Sequence, residues 1–261
     1  MICGEYHMHT VYSDGVNTAE EMVQKCIALG YQSVGISDHS YTFFDETYCI
    51  KKESISCYIA EIKALKQKYA SQIKLLCGIE HDMYSEPPAE PFDYIIGSMH
   101  YLKCDKGYFP VDESEAVFED VAERFFGGDY LALAEAYFRQ IEKLVEKTNC
   151  DIIGHFDLVT RFNINNRYFD ETSPRYVAAY RRAADALLKY HKPFEINVRL
   201  MYKGLKTQPY PSFAIGDYIA ANGGTFVLSS DAHRVEEIGA VFAQVENIVS
   251  EKGWKIEQRI F

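Results

Sequence analysis

The 261-residue chain has no stretch of about 18 consecutive apolar residues, so a transmembrane helix is not expected. Met1 to Thr10 shows neither a basic n-region nor an apolar h-region, which argues against a secretory signal. None of the 7 cysteines forms a CxxC pair, so neither a zinc ribbon nor a thioredoxin motif is suggested. The odd cysteine count fits a reducing compartment, with most thiols acting as small buried apolar groups. Positive charge is scarce: 27 Lys plus Arg against 38 Asp plus Glu leaves a net charge of −11. That balance disfavours a general nucleic-acid binder, which needs a basic surface. Low-complexity segments, long charge runs, fixed-period repeats and interdomain linkers are also lacking. Residues 1–261 therefore read as a single domain, soluble and cytoplasmic, with no nucleic-acid or membrane partner.

What is present is a folded α/β composition. Hydrophobic residues make up 48% of the chain, enough for a substantial core. α/β barrels often use about 200–250 residues as one domain. Seven β-rich runs recur: Ile2–Met8, Ser33–Ser37, Ile73–Ile79, Tyr94–Ser98, Asp151–Gly154, Phe194–Val198 and Thr225–Ser229. Helical patterns alternate with them, which predicts βα units around a parallel sheet. Thr18 and Glu21 form a capping box for a helix that should stop at Gly30. Ser173-Pro174 should open a helix to about Tyr190. Further helices are expected over 53–69, 213–221 and 235–251. Between strands four and five, helical patterns over 114–126 and 130–147 flank Gly127-Gly128, and they predict an inserted helical hairpin.

The 8 histidines carry the main chemical signal. Strand one ends in His7-Met-His9 and strand two in Asp38-His39. Strand three ends in Glu80-His81-Asp82 and strand four in His100. Strand five ends in His155-Phe-Asp157, strand six in Asn197-Val-Arg199, and strand seven in Asp231-Ala-His233. In a parallel barrel these ends meet at one face, where active sites are built. His7 and His9 are two apart and share a strand face, and Asp231-x-His233 does the same if the strand geometry persists that far. An HxH pair alone recurs by chance; six histidines in register with strand ends do not. Imidazoles and carboxylates without thiolates suit Zn, Mn, Fe or Co. The set, with Asp14 as a further member, is too large for one ion, so two or three ions fit, with Glu80 as the candidate bridge. Tyr12-Ser-Asp14-Gly15 is equally a good turn sequence. His81, Asp82, Asp38 and Asp157 read as supporting or structural residues, and His191 as a loop residue. Such a cluster generates hydroxide at neutral pH and stabilises a phosphoryl transition state.

His7-Met-His9-Thr10, Ile36-Ser-Asp-His39, Gly78-Ile-Glu80, Gly97-Ser-Met-His100, Gly154-His155 and Ser230-Asp-Ala-His233 resemble the motifs of the PHP (polymerase and histidinol phosphatase) superfamily. They run in order over nearly the whole chain. The length and the insert after His100 are similar to the monofunctional histidinol-phosphate phosphatases of that superfamily. The resemblance implies an α/β fold, a distorted (β/α)7 barrel, and a trinuclear centre of divalent ions, Zn, Mn or Fe. By position, His7, His9, Glu80 and Asp231 would hold one ion, and Glu80, His100 and His155 a second. His39 and His233 would hold a third, with Asp14 where other members carry His.

A phosphatase also needs cations for the ester's non-bridging oxygens. Arg161, just past strand five, and Arg199, ending strand six, offer planar forks, and the resemblance implies phosphate contacts for both. Arg167, Arg234 and Lys203 are runners-up. The expected reaction is hydrolysis of a small phosphate monoester by a metal-bound hydroxide, with Asp231 and His233 as candidates for proton handling; the resemblance implies that the ester is L-histidinol phosphate. Tyr41, Phe43, Phe44, Tyr101, Glu115 and Phe118 are candidates for the wall around the substrate's amine and imidazole. The alternative is a phosphoesterase acting on a small nucleotide or another ester. An amidohydrolase is disfavoured because strand four ends in His100, not in a bridging lysine. A degenerate binding domain is disfavoured because the ligand set is nearly complete.

Overall fold

The computed structural model describes residues 4–257. Seven strands form one parallel sheet: β1 (Gly4–Glu5), β2 (Ser33–Ile36), β3 (Lys74–Asp82), β4 (Tyr94–Ser98), β7 (Ile152–Ile153), β8 (Phe194–Asn197) and β9 (Phe226–Ser229). Their order in the sheet is their order in the chain. The ends of the sheet nearly close: Met8 bridges Ala232 in parallel, with His9 N to Ala232 O at 2.8 Å and Ala232 N to His7 O at 3.1 Å. The expected distorted (β/α)7 barrel is what the chain forms. Of the expected first strand, Ile2 and Cys3 lie outside the described residues.

Strand alternation divides the barrel interior into two levels. Leu76, Gly78 and Glu80 share a face of β3, and Tyr94, Ile96 and Ser98 share a face of β4. Val227 and Ser229 share a face of β9. The first residues of these rows, Leu76, Tyr94, Ile96 and Val227, cluster with Tyr6 and Ile152 into an apolar floor. The residues that end these rows are polar: Glu80, Ser98 and Ser229. Tyr94 spans this floor and donates to Tyr6 O at 2.5 Å. Its ring needs bare backbone beside it, since a Cβ on Gly78 would stand 2.2 Å from Tyr94 Cζ. Gly78→Ala is therefore expected to cost about 1–3 kcal/mol through overpacking, measured by urea unfolding. An unchanged midpoint would mean that the ring moves aside freely.

The outer helices follow their start signals. α1 (Ala19–Ala28) has the Thr18–Glu21 capping box, and α2 (Ile55–Lys68) buries Tyr58, Ile62 and Leu65. Past β4 comes a feature that the sequence reading missed, the antiparallel hairpin β5 (Tyr101–Cys104) and β6 (Gly107–Pro110). The insert then forms α3 (Glu115–Phe126) and α4 (Tyr130–Ile141), capped by Ser114 and Asp129. The single helix expected over 130–147 is broken, and α5 (Leu144–Thr148) turns Leu144 and Val145 inward beside β4. α4 lies against α6 (Pro174–Leu188), which opens at Ser173-Pro174 as expected. α7 (Arg199–Tyr202) and α8 (Phe213–Ala221) lie between β8 and β9 in the chain.

The last helix, α9 (Phe242–Glu251), starts seven residues later than expected at Val235. Two bonds hold the preceding segment at the barrel mouth instead: Val235 N to Asn17 Oδ1 at 3.1 Å and His233 N to Glu237 Oε2 at 2.7 Å. Gly239, at φ +68°, then redirects the chain.

Candidate metal centre

Glu80 lies at the middle of the barrel mouth, 1% exposed, and its two oxygens divide the histidines between them. Oε1 faces His155 Nε2 at 2.9 Å and His100 Nε2 at 3.5 Å. Oε2 faces His39 Nδ1 at 2.8 Å, His7 Nε2 at 3.2 Å and His9 Nε2 at 3.5 Å. Asp231 Oδ1 approaches the second group, 3.3 Å from His9 Nε2 and 3.8 Å from His7 Nε2. Asp14 Oδ2 meets His233 Nε2 at 3.1 Å, while its Oδ1 is 3.6 Å from His39 Nε2 and 3.9 Å from His9 Nδ1.

Three overlapping sets of donor atoms result: His7, His9 and Glu80; His39, Glu80 and His100; and His9, Asp14, His39 and His233. This differs in detail from the grouping drawn from sequence. His39 reaches Glu80 as well as Asp14, because the chain after β2 stays paired to β3 through an isolated bridge from His39 to Glu80. Asp231-x-His233 does not continue strand alternation. Asp231 sits at φ +51°, a left-handed turn that carboxylate residues tolerate. Asp14 stands among the donor atoms and also in a turn, which is closed by Thr10 O accepting from Ser13 N and Gly15 N.

These residues fit divalent cations on physical grounds. His7 Nε2, both nitrogens of His9 and Glu80 Oε2 are buried without a hydrogen-bond partner, although they lie close together. Buried polar atoms are seldom left so, and an ion is one way to satisfy several at once. The rings also crowd: His9 lies 4.3 Å from His39 and 4.2 Å from His233 between centroids. Burial, reinforced by His39, pushes His9 down to about 4, which leaves it neutral with a free lone pair. Burial would raise Glu80, but His39, His7 and His100 hold it well below the usual carboxylate range. Asp231 is likewise held well below its usual range against burial, by His7, Arg199 and His9.

Support comes from residues around the donors. Asp82 Oδ2 accepts from His100 N at 2.8 Å and lies 3.4 Å from its Nδ1. The Asp38 carboxylate accepts from Thr10 N, Thr10 Oγ1 and Ser13 Oγ and so shapes the loop that carries Asp14. Asp157 accepts from Ser212 N at 3.0 Å, and His81 Nδ1 pairs with Ser40 Oγ at 3.1 Å. His191 is a loop residue away from the site. Two buried carboxylates were missed from sequence, Glu5 and Glu195. Their signal was available: Glu195 and Asn197 stand two apart on an apolar strand, as Glu5, His7 and His9 do on theirs.

A cavity of about 260 Å³ opens beside the donors. Arg161 and Arg199 both line it, with His100, His155, Asp231 and His233. Arg199 Nη1 donates to Asp231 O at 2.7 Å and to Asp231 Oδ1 at 3.3 Å. Of the runners-up, Arg167 pairs with Glu115 and Glu119 on the surface, Arg234 is exposed, and Lys203 stands near Arg199 and Asp231 without lining the cavity. Of the expected aromatic and acidic wall, only Tyr101 lines the cavity. Phe44 meets Tyr101 edge to face, Phe43 is half exposed and Phe118 is core. Tyr41 lines a separate cleft and Glu115 is spent on Arg167. Besides Asp14 and Asp231, the acidic residues that line it are Asp45, Asp112 and Glu113, brought in by loops.

The model of the PHP domain family matches residues 5–199. The chain belongs to the PHP domain family. Asp231 and His233, beyond the matched span, join the site because β9 completes the same sheet. Among PHP relatives, the chain is 29% identical over 260 residues to a Deinococcus radiodurans protein named "Probable histidinol-phosphatase", covering 95% of this chain and 92% of that one. A solved structure of a candidate histidinol phosphatase from Listeria monocytogenes superposes with a TM-score of 0.79 at 21% identity, over 92% of this chain and 99% of the other. The histidinol phosphate phosphatase of Lactococcus lactis, crystallised with Zn, L-histidinol and phosphate, superposes with a TM-score of 0.72 at 20% identity, over 97% and 94%. These two structures share the PHP fold of this chain. No helix among the described residues is long and apolar enough to cross a membrane.

Proposed function

We propose that the whole chain is one metallophosphoesterase domain that hydrolyses L-histidinol phosphate to L-histidinol and phosphate. The observation that carries this reading is the meeting of buried, unpartnered imidazole and carboxylate atoms with two arginines at one cavity. The names of its relatives, and the ligands of the Lactococcus protein, support the substrate.

His7, His9, Asp231 and Glu80 Oε2 would hold one divalent ion, and Glu80 Oε1, His100 and His155 a second. Asp14, His39 and His233 would hold a third. The donor set suits Zn, Mn or Fe. When bound, such ions supply Lewis-acid charge and make water acidic enough to act near neutral pH. Arg161 and Arg199 bind the ester's non-bridging oxygens. Asp231 orients Arg199 by taking up Nη1, which leaves Nε and Nη2 for the anion. As the phosphorus–oxygen bond breaks, the leaving alkoxide needs a proton. Of the two residues expected to handle it, Asp231 is held ionised and is a poor acid. His233 lines the cavity with Nε2 3.1 Å from Asp14 Oδ2, and it can give a proton only while that nitrogen holds one instead of ligating the third ion. Asp45, Asp112 and Glu113 supply negative charge for the substrate's cationic amine. The same acidic lining, with the net charge of −11, disfavours a nucleic-acid strand.

Phosphate release from L-histidinol phosphate tests the reading, with protein loaded with Mn, Zn or Fe and a panel of nucleotides and sugar phosphates for comparison. The expected kcat/KM is about 10⁴ M⁻¹s⁻¹ or more, well above the panel. Preference for a nucleotide would discard the substrate and keep the reaction class.

A further inference from the structure

Glu195 takes no place among the donors above, yet it is 1% exposed and touches three strand ends. Its Oε1 accepts from Ser229 Oγ at 2.5 Å and makes a short hydrogen bond with His7 Nδ1. Its Oε2 accepts from His155 N at 2.7 Å and from Asn197 Nδ2 at 3.3 Å. The same Asn197 Nδ2 donates to Asp231 Oδ2 at 3.0 Å. We infer that Glu195 is a positioning residue that sets His7, His155 and Asp231 together as ligands. It fixes the face His7 presents, because Nδ1 is committed and only Nε2 remains, 3.2 Å from Glu80 Oε2. Carboxylates placed behind ligand imidazoles fix the ring and raise its basicity.

Glu5 supplies an internal contrast. It is equally buried, but it accepts from Ser230 and from the backbone N–H groups of Tyr6 and His7, and from no imidazole. Glu195 is therefore the carboxylate that meets a donor imidazole, and Glu5 is a structural clamp between β1 and the chain after β9.

The inference rests on the metal reading and not on the substrate. Its test is Zn²⁺ binding to metal-stripped protein, measured by competition with a chromophoric chelator. In Glu195→Gln, Zn²⁺ affinity is expected to fall by about 10–100-fold. Glu5→Gln should retain wild-type affinity, and Glu195→Asp should recover part of the loss. In the Zn²⁺-loaded wild type, the His7 Nδ1 proton should give a downfield, exchange-protected resonance that moves upfield in Glu195→Gln. Undiminished binding in Glu195→Gln, or an equal loss in Glu5→Gln, would overturn the role of Glu195. If Glu195→Gln fails to fold, the wild-type spectrum decides: a His7 proton on Nε2 overturns the inference. A wild type that binds no Zn²⁺ would instead overturn the metal reading.

Discussion

Glu80→Gln is expected to lose both retained metal and turnover, with kcat/KM falling by at least about 10³-fold. The substitution keeps the shape of the side chain, so the effect isolates charge and donor chemistry. Wild-type Glu80 faces two imidazoles with Oε1 and three with Oε2. A glutamine places an NH₂ group against one of these sets and removes the only negative charge shared by both. Its amide cannot bridge two cations as a carboxylate can. The loss should therefore reach every ion that Glu80 would help to hold. Metal content by atomic spectroscopy and steady-state phosphate release read the two effects separately. Normal content with full turnover would remove Glu80 from the centre of the site.

Metal loading should also be a large thermal effect. At a free Zn²⁺ or Mn²⁺ concentration of about 1,000 times Kd, binding to the native state alone adds about 4 kcal/mol. At about 2–4 °C per kcal/mol for chains of this size class, Tm should rise by about 8–16 °C over the chelated protein. The chelated site is costly as it stands. Against burial, the carboxylates of Glu80 and Asp14 raise His39 to about 9, so it carries a proton beside His9. His9 is stacked on His39 at 4.3 Å and is itself forced neutral. Bound cations replace those protons with charges that the lone pairs can face. Calorimetry with and without chelator measures the shift, and an unchanged Tm would argue that the donors are satisfied without ions.

Much of the site was legible because strand ends carry it. His7, His9, His39, Glu80, His100 and His155 lie at or just past the ends of parallel strands. A barrel brings such ends together whatever the details of its loops. The β5–β6 hairpin escaped notice because Tyr101–Pro110 has little alternation and only a Gly107 turn to mark it. The start of α9 was misjudged because helical periodicity continues through Val235 and Ile238. Tertiary bonds from Asn17 and Glu237 override it there.

The wall of the cavity was read less well. Glu115 and Phe118 lie in the correct insert, but Glu115 is spent on Arg167 and Phe118 is core. Asp45, Asp112 and Glu113 line the cavity in their place.

The sequence by itself determined the order of the strands, the convergence of the histidines and the class of chemistry. Those follow from local periodicity and from where ionisable residues stop each apolar run. Only the tertiary structure decided that His39 reaches Glu80, that Arg199 is braced by Asp231, and that Glu195 stands behind His7. Each joins residues 32 to 188 positions apart through side-chain geometry at the barrel mouth. Distances of that kind are set by the closure and packing of the barrel, to which no local pattern in the chain refers.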